Sequence, residues 1–143
     1  MTSTSYLEDR LAIEDLFVRY TTALDKGDVE TIVDCFTPDG SLDSPAVGSH
    51  AGHAAIRAFA ERFARFNEQG SQLRHVISNL AAEIDGDRAR ATCYLLNVLT
   101  RNGESRLLAP GRYECDLIKS ADGRWRFQRR VVILDHPIKL EGI

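Results

Sequence analysis

The sequence predicts an α+β domain, helices first and an antiparallel sheet after, on three observations. Apolar residues recur at helical spacing through the first half of the chain and in strand-like alternation through the second. Turn signals at Asp85-Gly86-Asp87, Asn102-Gly103 and Ala121-Asp122-Gly123 punctuate that second half as hairpins require. The 143 residues suit one domain spanning 1–143, long enough to bury about 68–70% of its unfolded surface, and no linker, repeat or low-complexity run divides it.

The first element is an amphipathic helix from Leu7 to Asp28. Ile13, Leu16, Phe17, Tyr20 and Leu24 form its buried stripe. Ser3, Thr4 and Ser5 offer N-caps, Glu8 and Asp9 suit a positive first turn, and Gly27 is a left-handed C-cap. Asp25 therefore falls in the last turn, where the helix dipole already presents negative charge. A carboxylate there breaks a local rule: it is either a solvated turn aspartate compensated by Lys26 or, because local rules tend to be broken at functional sites, a functional group.

A short helix follows from Asp28 to Phe36, stopped by the turn chemistry of Thr37-Pro38-Asp39-Gly40. Ser41 to Ser44 is expected as a short strand and Pro45 to Gly52 as a loop, before a helix from His53 to Phe66 carried by Ala55, Ile56, Phe59, Ala60 and Phe63. Strands are then expected over Gln72 to Ile84, Arg88 to Thr100, Arg106 to Lys119 and Arg124 to Asp135, the last with Trp125, Phe127, Val131 and Ile133 in one phase. Several strands are apolar on both faces, as at Leu95, Leu96, Val98 and Leu99. One face takes the helices and the other needs a second subunit, so a homo-oligomer, dimer or trimer, is expected.

Composition excludes several classes. A net charge of -3 leaves no basic excess for nucleic acid. No apolar run reaches the roughly 18 residues of a membrane span, and Met1 to Tyr6 is too polar for a signal peptide, so a cytoplasmic location without membrane partners is expected. Cys35, Cys93 and Cys115 lack metal or disulfide spacing, and His50 and His53 form an H-x-x-H too short of further ligands for a metal and are expected as solvated loop residues. No phosphate-binding glycine fingerprint or nucleophile elbow occurs, so neither cofactor nor metal is expected.

His75 shares a phase with Leu73, Ile77 and Asn79 and should face the buried side, where it is either a core histidine bonded to backbone or a general base held by Asp25. Tyr20, on the helix stripe five residues before Asp25, either packs in the core or offers its hydroxyl to a cavity, an ambiguity shared by Tyr94 and Tyr113. Arg129 and Arg130 are adjacent in a strand, so one of them points inward if no bulge intervenes.

Four stretches, Tyr20-Thr21-Thr22-Ala23-Leu24-Asp25-Lys26-Gly27-Asp28, Phe36-Thr37-Pro38-Asp39-Gly40, His75-Val76-Ile77-Ser78-Asn79 and Asp122-Gly123-Arg124-Trp125-Arg126-Phe127, stand in an order and spacing that resembles the SnoaL-like branch of the nuclear-transport-factor-two-like superfamily. The resemblance covers almost the whole chain. It implies a curved antiparallel sheet wrapped with N-terminal helices into a cone around an apolar pocket. Scytalone dehydratase, lindane dehydrochlorinase and bile-acid dehydratase in that superfamily use an Asp–His pair to take a proton from carbon. By similarity Asp25 and His75 are that pair, Tyr20 matches a tyrosine of the bile-acid enzyme and Arg130 a pocket arginine of the dehydrochlorinase, with strand parity leaving Arg129 open. The implied function is a cofactor-independent lyase acting on a small apolar or aromatic cyclic molecule. The alternatives are an isomerase or polyketide cyclase using the same pocket, and a noncatalytic ligand-binding or assembly module.

Overall fold

The computed structural model describes residues 4–138 and residue 140. In chain order the elements are α1 (Thr4–Lys26), α2 (Val29–Asp34), β1 (Phe36–Ser44), β2 (Gly48–Ala51), α3 (His53–Glu68), β3 (Ser71–Asp85), β4 (Arg88–Arg101), β5 (Glu104–Lys119) and β6 (Trp125–Leu134). The six strands form one curved, unclosed sheet in the order β2-β1-β6-β5-β4-β3, with the helices against its inner face. The expected α+β architecture is what the chain adopts. Among the described residues no helix is long and apolar enough to cross a membrane.

The first helix buries the stripe read from the sequence: Ile13, Leu16, Phe17, Tyr20 and Leu24 are all at most 3% exposed. Its C-terminus closes as Gly27 predicts. With φ at +71°, Gly27 lets the Asp28 N–H reach back to the Ala23 carbonyl at 2.9 Å, and a Cβ there would meet Ala64 of α3 at 3.2 Å. The N-terminus differs from expectation. Ser3 lies outside the described residues, Thr4 and Ser5 are already helical, and Asp9 serves no dipole. Its Oδ1 accepts from Trp125 Nε1 and Lys119 Nζ, both at 3.1 Å, tying α1 to the far strands.

The sheet departs from a plain antiparallel meander in two ways. β1 runs parallel to β6, and the segment expected as a loop contains β2, antiparallel to β1. Thr37-Pro38-Asp39-Gly40 does turn the chain, but inside β1: the register passes from Phe36 opposite Phe127 to Ser41 opposite Arg129, so the four turn residues form a bulge. His50 and His53 are also not solvated. They are partly buried, with Nε2 atoms 2.8 Å from the carbonyls of Val47 and Phe36 respectively.

Bulges decide which side chains face inward. In β3, Asn79 takes φ of 57° and the inward phase passes from Leu73, His75 and Ile77 to Leu80, Ala82 and Ile84, leaving Asn79 exposed. In β6 the register against β5 slips at Gln128, because Leu117 pairs with Phe127 but Asp116 with Arg129. Trp125 and Phe127 therefore share the inner face with Arg130 and Val132, not with Val131 and Ile133 as alternation alone predicts. The outer face carries Val76, Tyr94, Leu96 and Leu107, each 43–57% exposed.

Candidate active site

The end of α1 and the start of β3 bring Asp25 and His75 together. His75 Nδ1 lies 2.6 Å from Asp25 Oδ1, and the His75 backbone N–H donates to the same carboxylate at 3.2 and 3.3 Å. A carboxylate only accepts, so Nδ1 of the neutral ring carries the proton and Nε2 keeps its lone pair. Both side chains are nearly sealed, His75 at 5% and Asp25 at 12% exposure. Phe63 flanks the imidazole with ring centroids 5.9 Å apart.

A carboxylate at a helix C-terminus adds to carbonyl groups that already need donors. Two amides meet that need. Asn67 Nδ2 donates to the Leu24 carbonyl at 3.0 Å and the Asp25 carbonyl at 3.4 Å, and Gln72 Nε2 donates to the Asp25 carbonyl at 3.0 Å. These two side chains from α3 and β3 pin the helix end against the sheet and so hold Asp25 on His75. Neither was singled out in the sequence, where an amide at a turn is an ordinary loop residue.

His75 lines a cavity of about 50 Å³ between the helices and the inner sheet face. Tyr20, Leu24, Phe59 and Phe63 form the helix side, and Leu95, Asn97, Tyr113 and Val132 the sheet side. Leu134 at the end of β6, Ala46 and Val47 from a turn, and Ile138 and Leu140 from the segment after β6 complete the lining. Such a volume holds a water-sized molecule, whereas sites for drug-sized ligands run to about 300–1,000 Å³, so a ring enters only if lining groups move aside. Larger grooves occur elsewhere, such as an open one of about 590 Å³ bordered by Glu83, Asp85, Arg88 and Arg90, but neither His75 nor Tyr20 lines it.

The four expected site residues divide into two kinds. His75 and Tyr20 line the cavity, while Asp25 stands behind His75 and Arg130 behind the tyrosines. The Gln128 bulge settles the choice between the two arginines: Arg130 is fully buried and Arg129 exposed. Its guanidinium carbon lies 3.6 Å from the Tyr113 ring centroid, 4.3 Å from Tyr20, 4.5 Å from Phe127 and 5.1 Å from Phe17. Nη1 contacts Cys115 Sγ at 3.4 Å, but Nε and Nη2 have no hydrogen-bond partner.

Burial pushes the Tyr113 phenol up to about 12 against the opposing charge of Arg130, and raises Tyr20 further. Both remain neutral proton donors near pH 7. Tyr94, the third ambiguous tyrosine, is 57% exposed on the outer face and has no part in the cavity. Asn97, paired directly with His75 across β3 and β4, was missed; its Oδ1 is buried without a partner. Register with His75 was the signal that could have found it. Among the described residues no group of three His, Cys, Asp or Glu side chains could hold a metal, and all three cysteines are buried free thiols.

Comparison with known proteins agrees with this fold. Rv2910c of Mycobacterium tuberculosis is 29% identical over 140 residues, covering 92% of this chain and 88% of its own. Rv3472 of the same organism, described as a protein of unknown function, superposes with a TM-score of 0.83 at 29% identity over 94% of this chain and 76% of its own. A Catenulispora acidiphila protein in complex with S-DNPA superposes with a TM-score of 0.77 at 27% identity, covering 90% and 95%. The SnoaL-like domain matches residues 5–131, and the chain thus belongs to the SnoaL-like family of nuclear-transport-factor-two-like folds.

Proposed function

We propose that the chain is a cofactor-independent lyase in which His75 Nε2 takes a proton from carbon. The observation that carries this reading is the 2.6 Å Asp25 to His75 contact with the ring on the wall of a cavity. Asp25 fixes the tautomer and stabilises the imidazolium once it forms. Tyr20 and the Arg130 charge behind it assist the departing group or the negative charge that develops on the substrate. Proton transfer to a positioned base contributes roughly 10²–10⁴-fold, so the electrostatics of the apolar cavity carry the remainder.

The test is incubation in D₂O with a panel of small cyclic ketones, hydroxyketones and halocarbons, read by mass spectrometry. Elimination loses water or acid, isomerisation loses nothing, and reversible proton removal at carbon replaces C–H by C–D in the substrate or isomer, adding one mass unit for each exchange. All of these should stop in His75→Gln and fall by about 10²-fold or more in Asp25→Asn. Exchange that persists in both variants removes the dyad from the chemistry.

A noncatalytic binding or assembly module is favoured by two observations, the small cavity and the apolar outer sheet face. Val76 opposes Leu96, and Leu96 opposes Pro110, so these residues form one continuous patch. The proposal is that a second copy covers it, burying more than about 1,200 Å² in total. Light scattering should give a mass of two or three 16.0 kDa chains, and Leu96→Glu should shift it toward one. A monomer at micromolar concentration overturns the assembly.

A further inference from the structure

We propose that a row of charges on the outer sheet face, Glu83, Arg90, Asp116 and Arg129, is self-complementary and admits a second copy of this chain in one orientation, about a two-fold axis along the seam between β4 and β5. This rests on the reading that a second copy covers the outer face, and adds which residues meet and that the assembly is a dimer. Glu83 is paired with Arg90, Arg90 with Asp116 and Asp116 with Arg129, so they stand side by side across β3, β4, β5 and β6. Their neighbours Ala89, Ala91, Cys115, Leu117 and Arg130 are buried, which turns the row outward. Glu83, Arg90 and Arg129 are exposed and Asp116 is half-buried. The slip at Gln128 that sends Arg130 inward also brings Arg129 into the row.

Along the row the signs alternate, negative, positive, negative, positive. Reversing an alternating row of even length puts the opposite sign at every place. A two-fold axis lying between two facing sheets, parallel to their strands and over the seam of β4 and β5, performs that reversal. It sets Arg90 over the partner's Asp116 and Glu83 over the partner's Arg129, each pair occurring twice. An axis along the row sets every residue over its own copy, like charge over like, which repels. A heterologous contact, the kind that closes a trimer, sets the row against a different patch and leaves its self-match unused. Leu96 pairs with Pro110 and Tyr94 with Arg112 on the same two strands, so the seam axis also sets Leu96 over the partner's Pro110 and Tyr94 over the partner's Arg112. Apolar meets apolar and ring meets guanidinium, so the apolar patch and the charged row agree on this axis.

Within one chain the alternation does little. Arg90 Nε lies 3.3 Å from Asp116 Oδ1 with the side chains 74% and 42% exposed, and exposed pairs of this kind contribute little to stability. Under a partner sheet the same charges lose solvent, and their match or mismatch decides whether two copies close. Aligned sheets cross at about 30°, which slides the outer pairs by about one residue and leaves the pair at the seam in place. Arg90 and Asp116 are therefore the positions to test.

The test is sedimentation equilibrium of the full chain at low salt, with circular dichroism to check that each variant is folded. Wild type should be a dimer. Arg90→Glu and Asp116→Arg each put two like-charge contacts into the interface and should each weaken the dimer about 10- to 100-fold. The double variant Arg90→Glu/Asp116→Arg returns opposite charges to both copies of the seam pair, with Glu83 still over the partner's Arg129. Its dissociation constant should lie within about threefold of wild type. Inside each chain that variant places like charges side by side, on β3 with β4 and on β5 with β6, so its recovery cannot come from pairing within the chain. A wild-type monomer removes this axis together with the second copy on which it rests. A trimer, single variants that dimerise as wild type does, or a double variant as weak as the singles removes the axis alone, and the covered face then stands if Leu96→Glu still dissociates the assembly.

Discussion

The Asp25–His75 end of the cavity and the Arg130 end are built on opposite principles. At the first, the charged and helix-end groups are answered within the chain, carboxylate by imidazole and backbone N–H and helix carbonyls by Asn67 and Gln72, and only the amide oxygens of Asn67 and Asn97 are buried without a partner. At the second, a full positive charge is wrapped in four aromatic rings with two nitrogens unanswered. A paired site is held in its working geometry before anything binds. An unpaired one is complete only when negative charge arrives, which is what favouring a transition state over a ground state requires.

The sharpest way to break the paired end is Asp25→Asn. The amide oxygen still accepts from Nδ1, so the tautomer survives, but the charge that stabilises the imidazolium is gone. Turnover should fall by about 10²-fold or more. Stability should change by only about 1 kcal/mol, because neutralising a carboxylate at a helix C-terminus relieves the dipole while its amide nitrogen now faces the His75 N–H. Denaturation midpoints and deuterium-exchange rates of this variant measure both. A loss of about 3–5 kcal/mol with exchange intact would mean a buried structural ion pair instead.

A smaller effect is expected at Asp9, a paired anion that does not line the His75 cavity. Burial works to raise its carboxyl, but the Trp125 and Lys119 hydrogen bonds and the Lys119 charge outweigh it and hold the group below 3.8. A depressed folded value means the contribution is complete above the unfolded value and lost as pH falls through the folded one. Asp9→Asn should cost about 1–3 kcal/mol at pH 7 and flatten acid unfolding below about pH 4. Turnover should not change. Equal pH dependence in wild type and variant would show that the Asp9 contacts do not contribute.

What could be read in advance follows from the range of each interaction. The α1 stripe and the Gly27 stop obey a local period, and Asp25 was visible as a misfit within it. His75 could be placed on a face because the first part of β3 keeps strict alternation up to Asn79. Arg130 could not be separated from Arg129, since the bulge at Gln128 is a slip of β6 against β5, and the Gln128 side chain meets a residue 91 positions away, with Thr37 Oγ1 donating to its Oε1 at 2.9 Å. Alternation propagated from Trp125 and Phe127 predicts the wrong arginine. Asn67, Gln72 and Asn97 were invisible for the same reason, since each matters through a partner on another element.

The smallest expected effect is on the stability of Arg130→Met, and it tests the unpaired end most directly. Four aromatic contacts to a desolvated cation, at about 2 kcal/mol each, favour it by up to roughly 8 kcal/mol. Against that stand the several kcal/mol needed to take a guanidinium out of water and the cost of two unsatisfied nitrogens. The two sides nearly cancel. Methionine occupies much of the same space, carries no charge, and gains sulfur–aromatic contacts of about 0.3–1.5 kcal/mol with the same rings. The denaturation midpoint of Arg130→Met should therefore lie within about 1 kcal/mol of wild type or above it, as for buried charges elsewhere replaced by apolar residues of similar size. A structural arginine predicts a loss of about 3–5 kcal/mol, the cost of breaking a buried pair. Because no carboxylate is left stranded when this side chain is removed, a loss of that size would mean that the rings need the cation for packing, and that the charge at this end serves the fold instead of a ligand.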